Sequence, residues 1–577
     1  MARAPRTPTA PHRLRQQGMA LIVLVFLVGF AATAYMVHAL NGTAAQNARA
    51  RQAAETLSSS KDVLIGYLLD RVSGGERPGD MTYPDRLIET PTADYNGTTD
   101  SCAITGSGTS TRWYCLGRLP WSDLGLALES PSENDPDGRM PWYAVSANML
   151  DVCLKEFNPG ILNYSWPGAY PAACPGTPVS GVLPHPWLTV RDRYGNVISD
   201  RVAAVLIIPG PTLGTQNRPA SPSLGDASAY LDSVTIDADC TASVTCVPGT
   251  YSNADHDNDF IMADDSRFYP GCNPIFHGTG CDTPYNFNDS LAYITIDDVM
   301  KEVVKRAAGE ARSLLNSYKS KTTTFPDAAG LGTGSYNSVA STYAGMLPID
   351  VTDTCTCASS TSCTCSFSKL TSISFRRAGT STWSATDFWG ACTRPSTQTC
   401  TCTGSGGCRN ITGTRNFTCD SSGNCTHNTT GTYIFAPPSD YADIFSATLG
   451  CAIVSGNAEC LSTDLGTYGG GSLTIGLKEP DWFKDNLWQE YFYYHWSTSS
   501  NIQAGATANN ASAIIVGAGR AITAAPFASK GSAQTRPSAN LNDYLDSAEN
   551  TDGDLVYDAT SAATGSSYND QVFIVAP

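Results

Sequence analysis

Charge is what this sequence has least of. Asp, Glu, Lys and Arg together make up only 15% of its 577 residues, well under the roughly 25% usual in a soluble domain. A basic excess is missing altogether: 36 Lys and Arg face 53 Asp and Glu, a formal net charge of −17. A phosphate backbone is bound through a cationic face, so nucleic acid is excluded as a partner. Histidine is scarce, with seven in the chain, and few general bases remain. No G-x-S-x-G elbow, H-E-x-x-H pair or P-loop occurs, and no G-x-G-x-x-G follows a plausible strand. The commonest hydrolytic, zinc-dependent and nucleotide-binding chemistries therefore lack their residues. Acid pairs such as Asp264–Asp265 or Asp297–Asp298 read as surface or capping residues. The chain is expected to be no enzyme and to carry no cofactor.

Cysteine is plentiful by contrast, with 20 residues in clusters. Thiols at that density suit an oxidising compartment and a disulfide framework. Five close couples are expected to pair: Cys102 with Cys115, Cys153 with Cys174, Cys240 with Cys246, Cys272 with Cys281, and Cys451 with Cys460. Ten more cysteines fall between Cys355 and Cys425, three times as C-x-C (355/357, 363/365, 400/402). In a strand, residues i and i+2 share a face, so each C-x-C offers two thiols to neighbouring strands rather than to each other. A zinc or copper site would more usually show C-x-x-C or paired histidines, and His427 is the only histidine of this segment. Spacing leaves the connectivity within 355–425 open.

Only one long apolar run exists, Met19 to Leu40. At 1.5 Å per residue a helix over it is about 33 Å long, enough to cross a hydrocarbon core of ~30 Å. Arg3, Arg6, Arg13 and Arg15 precede it without an acid, which places the leader in the cytoplasm and the remainder outside. The run is too long for a cleavable secretory signal. Beyond it the sequence stays helical in character, with no Pro or Gly between Gly42 and Gly66.

The segment RQQGMALIVLVFLVGF, with Gly18 at the cut and Met19 as the mature first residue, resembles the class III signal of type IV pilins and pseudopilins. That resemblance covers about 50 residues. It implies cleavage after Gly18 by a prepilin peptidase, methylation of the new amine, and packing of the apolar helix among other pilin or pseudopilin subunits. Most pilins carry Glu at mature position five, where this chain has Val23. In this it is similar to K-type tip pseudopilins, which have no subunit above them. The resemblance thus implies a minor subunit at or near a filament tip, acting in assembly initiation or surface adhesion. Its expected location is the inner membrane, single-pass with the C-terminal part in the periplasm, then a filament or cell surface. The alternative is an anchored adhesin or binding protein that never enters a filament.

Past the helix the chain reads as β-rich, and four elements recur in order. RVAAVLIIPG (201–210), QNRP (216–219), ASAYLD (227–232) and YNFNDSLAYITI (285–296) are matched by NASAIIVGAG (510–519), QTRP (534–537), LNDYLD (541–546) and YNDQVFIVAP (568–577). WYAVS at 142–146 finds a looser partner in YFYYHWS at 491–497. An amphipathic helix is expected from Asp297 to Tyr318, with Val299, Val303, Ala307, Leu314 and Tyr318 on its buried face. The expected fold class is α+β: an N-terminal transmembrane and stalk helix, two repeated pilin-like halves of helix plus antiparallel sheet, and a Cys-rich disulfide insertion. The expected divisions are 1–18 leader, 19–72 transmembrane and stalk helix, 73–296 first domain, 297–350 helix and linker, 351–430 Cys/Thr/Ser-rich module, and 431–577 second domain.

Two further segments are ligand candidates. Asp255, Asp257 and Asp259 stand at alternate positions, as in oxygen-ligand loops for calcium. No Gly follows at loop position six, and Ser266 occupies position twelve, so a turn entering a strand competes with that reading. WFKDNLWQEYFYYHW (482–496) packs eight aromatics into 15 residues. These would serve either a strand covered on both faces or a platform for a glycan or another surface ligand.

Overall fold

The structure is a computed structural model. It describes Phe30 and residues 47–71, 77–86, 99, 114–126, 140–150, 157–163, 187–213, 216, 218, 227–236, 247–255, 258–262, 287–351, 437–443, 477–505, 510–519, 538–559 and 570–577, together with strands between 354 and 476. Of the described residues, far more lie in sheet than in helix.

The first sheet orders β1 (Tyr114–Arg118), β2 (Trp142–Ser146), β4 (Val197–Ile208) and β3 (Leu188–Arg191), then Asp259–Ile261, with Ser290–Thr295 also paired to β4. The second orders Gln571–Ala576, Ala513–Gly517, Phe492–Trp496 and Ala344–Met346. The recurring sequence elements occupy matching places. β2 runs antiparallel to β4, which runs antiparallel to Ser290–Thr295. Phe492–Trp496, Ala513–Gly517 and Gln571–Ala576 repeat that order and sense. Both central strands are continuous apolar runs because both of their faces are covered. Ala204 and Leu206 face one core while Val205 and Ile207 face another, and Ile515 opposes Ile514 and Val516 in the same way.

Helix α2 spans Ile296–Thr322. Thr295 caps it through a reciprocal box with Asp298; Asp297 and Asp298 occupy the first turn, and Lys319 and Lys321 the last. Each sign of charge thus sits at the end of the helix dipole that favours it. Thr323 ends it in the left-handed region at φ 65°. The buried face is the expected one, from Val299 through Leu315 to Tyr318, and each fully buried Val, Ile or Leu contributes about 1.5–3 kcal/mol.

The expected α+β class is corrected by what α2 and the preceding helix do. A helix for each half was expected, whereas α2 packs on strands of both sheets. Its Val299, Val303 and Ala307 join one core with Tyr143, Leu206 and Ile294 of the first sheet and Phe492, Ile515 and Val575 of the second. Helix α1, described over 47–70, is no stalk: Leu57, Leu64 and Leu68 are buried in that same core. Lys61 ties it to the start of α2, donating to the Tyr293 carbonyl at 3.1 Å and standing 3.7 Å from Asp298. Among the described residues no helix is long and apolar enough to cross a membrane. The Met19–Leu40 run, Phe30 apart, lies outside them, as do Gly18 and the leader.

Between the sheets the chain forms a third, six-stranded antiparallel sheet from Thr354–Ser359 through Ser362–Phe367, Leu370–Trp383, Gly431–Ala436 and Phe445–Gly450 to Ser472–Leu477. Its backbone register sets Cys355 opposite Cys365 and Cys357 opposite Cys363. In a separate small sheet Cys419 stands opposite Cys425.

Close approach of α2 to the second sheet depends on Gly517, where an added Cβ would lie 2.6 Å from Val304 Cγ1. Gly517→Ala is expected to destabilise by about 1–3 kcal/mol. Gly309→Ala, on α2 with nothing within 4 Å of the new methyl, should stabilise by about 0.5–1 kcal/mol. Urea unfolding of the two variants checks both signs.

Candidate functional site

The calcium candidate is not assembled among the described residues. Asp259 opens a strand paired in parallel with β3, and its carboxylate receives Arg191 Nε at 2.9 Å. Asp255 lends its backbone carbonyl to the Tyr114 hydroxyl, and Asp257 lies outside the described residues. No group of three or more His, Cys, Asp or Glu able to hold a metal occurs among the described residues.

No complete disulfide occurs among the described residues. Of the five expected couples only Cys115 is described: it is 1% exposed on β1 and disulfide-bonded. Cys102, Cys153, Cys174, Cys240, Cys246, Cys272, Cys281, Cys451 and Cys460 lie outside.

The aromatic stretch is core. Phe483, Trp488, Phe492, Tyr494 and Trp496 are each at most 2% exposed. Phe483 stacks on Phe492 at 5.9 Å between centroids, and Trp482 meets Trp488 edge-on at 6.5 Å. No ring face of that set is open to a glycan. Trp488→Ala should therefore lower stability by about 3–5 kcal/mol, as loss of a buried indole does. Chemical denaturation of the variant reads the loss directly.

What the described residues bring together instead is a pair of buried carboxylates. A 3-10 turn at Ala227–Ala229 lays Tyr230 and Leu231 into the core beneath the first sheet and delivers Asp232 to the Asn288–Asp289 turn. There the two acids brace each other's backbone. Asp232 N–H donates to Asp289 Oδ2 at 2.8 Å, while Asn288 and Asp289 N–H donate to Asp232 Oδ2 at 2.6 and 3.2 Å. Gln216 Nε2 donates to Asp232 Oδ1 at 2.7 Å, and Asn253 Nδ2 to Asp289 Oδ2 at 3.1 Å. The second sheet carries a counterpart. The turn at Leu541–Asp543 buries Tyr544 and Leu545, and Asp546 N–H donates to Asp570 Oδ2 at 2.6 Å. The recurring Tyr-Leu-Asp and Asn-Asp segments are thus the two halves of one latch. Sequence reading found both segments without placing them in contact, because 56 or 57 residues separate the first pair.

Burial raises both first-sheet acids above the usual carboxylate range, and for Asp289 the nearby Asp232 charge adds to the rise. A raised acid binds its proton more tightly in the native state than in the unfolded one. Stability from this latch is therefore complete below the unfolded carboxylate range near pH 4 and is lost as pH rises through the native values. The expected result is a fall in unfolding free energy from pH 5 to pH 8. Asp289→Asn keeps an oxygen for Asp232 N–H and should flatten that fall; denaturant melts at each pH test it.

A second node ties the two sheets together. Asn486, 4% exposed, accepts through Oδ1 from Phe157 N–H at 2.6 Å and from Arg77 Nη1 at 3.2 Å. Its own Nδ2 donates to the Trp482 carbonyl at 2.7 Å, and its carbonyl accepts from Asn158 Nδ2 at 2.8 Å. Arg77 is held by Asp80 at 3.0 Å and lies 5.7 Å over the Phe157 ring. No spacing in the chain announces this node.

One surface remains with little cover. Residues 47–52 of α1 are exposed, and burial begins in earnest at Leu57. Arg51 and Glu55, paired at 2.8 Å, are both largely in solvent. The helix thus passes from solvent at 47–52 into the core at Leu57. No family model, no curated protein and no solved structure matches the chain.

Proposed function

We propose that this protein is a minor pilin-like structural subunit, at or near the tip of a type IV pilus or type II secretion-like filament. Its role in that reading is assembly initiation or surface adhesion. The observation that carries it is the run RQQG–MALIVLVFLVGF, a basic leader ending at Gly18 and an apolar segment beginning at Met19. Support comes from residues 47–52 of α1, which are exposed and so accessible to neighbouring subunits. Val23 in place of the usual acid, and a body of two fused sheets with a third inserted, favour a terminal over a repeating position. In this reading a prepilin peptidase processes the chain at the inner membrane, and the folded part lies in the periplasm before filament assembly. With the aromatic stretch buried, contact with any surface or glycan falls to the inserted sheet, whose Thr364 is exposed.

The deciding measurement is the N-terminal mass of the protein taken from membranes, with and without Gly18→Ala. A methylated terminus at Met19 that vanishes in the variant is the expected result. An uncut terminus in both preparations would remove the pilin reading and leave the head of an anchored surface protein.

A further inference from the structure

The chain leaves the body for the inserted sheet and returns from it along two hydrogen-bonded arms, a neck in which an ionisable cluster is buried. The outgoing arm is Ile349–Val351. The returning arm is Leu477–Glu479, which leads into the short helix Asp481–Asp485. The arms meet where Leu477 N–H donates to the Ile349 carbonyl at 2.7 Å. The outgoing arm is further held by Ile349 N–H on the Tyr336 carbonyl at 2.7 Å and Ser338 N–H on the Asp350 carbonyl at 2.7 Å. Lys484 Nζ clasps the returning arm, donating to the Leu477 carbonyl at 2.7 Å.

Glu479 stands inside this junction with a side chain 1% exposed. Two charged groups face it. Lys484 of the short helix is 3.2 Å from Oε2 and one-third exposed, and Asp350 of the outgoing arm adds negative charge. A carboxylate so placed has surrendered its hydration for one ammonium that is itself one-third exposed, with a second acid opposing it. The backbone N–H of Glu479 itself and Lys484 favour the ionised form, but burial outweighs both.

We propose that Glu479 makes this neck a pH-responsive hinge, closed when the carboxyl is neutral and opening locally as it ionises. Burial pushes the Glu479 carboxyl up to about 7, and Asp350 is raised by burial as well. The native neck therefore binds more protons than the opened one, so its closure is strongest in acid and weakens as pH rises through neutrality. The clasp further along the insertion is made by a lysine of α2. Lys321 stands 2.6 Å from Asp443. Opening is thus confined to the neck, while the base of the inserted sheet stays on α2.

Hydrogen exchange of the full chain, read by mass spectrometry over 347–351 and 477–484 and corrected for intrinsic rates, tests this. Between pH 5 and pH 8 protection of the neck should drop roughly 10- to 100-fold, while 513–517 in the second sheet holds steady. Glu479→Gln should remove the drop, and Asp350→Asn should keep it. Neck protection that is flat in the wild type, or that falls equally in Glu479→Gln, would overturn the proposal. Should Glu479→Gln fail to fold, Lys484→Met decides. Loss of the ammonium holds the carboxyl neutral to higher pH, so the transition must move upward, and an unmoved midpoint refutes the hinge.

Discussion

The packing of α2 against two sheets at once is the constraint from which the rest follows. A 27-residue helix with one apolar face has a single side to give, and here strands from 142 to 295 and from 492 to 576 both compete for it. The solution is one continuous core beneath both sheets, closed at its edge by α1. Close contact then requires Gly517 to carry no side chain under Val304. It also requires each sheet's outer face to be covered separately, by Tyr230 and Leu231 in one case and Tyr544 and Leu545 in the other.

Polar groups in this body act as braces. The Asp232–Asp289 pair, its counterpart at Asp546 and Asp570, and the Asn486 node each satisfy backbone groups that a loop would otherwise bury unpaired. Putting two acids in one brace is costly near neutrality, since burial and mutual repulsion both oppose ionisation. In the second sheet Asp570 is buried and Asp546 partly so. The pair with both acids buried sits on the sheet whose latch includes Gln216 and Asn253.

Much of the local structure was legible in the sequence. The buried face of α2 could be read because helical periodicity and a capping pair are written within 27 consecutive residues. The strands Val197–Ile208 and Ala513–Gly517 were legible as apolar runs bounded by turn residues. Recurrence of Tyr-Leu-Asp and Asn-Asp marked equivalent positions in the two sheets. The aromatic stretch was ambiguous because a strand covered on both faces and an open platform need the same residues, and only the neighbours of Phe483 and Trp488 distinguish them.

By itself, then, the sequence determined the helix over α2, the two doubly covered central strands, the repeat, and the basic leader with its apolar run, since each depends on residues close together in the chain. Tertiary structure alone decided that α2 serves both sheets, that α1 is packed from Leu57 onward, that Asp259 is engaged by Arg191, and that Asn486 meets Phe157. Those outcomes join residues tens to hundreds of positions apart. Burial of a shared apolar surface chooses among such pairings, and no local pattern records which one it will choose.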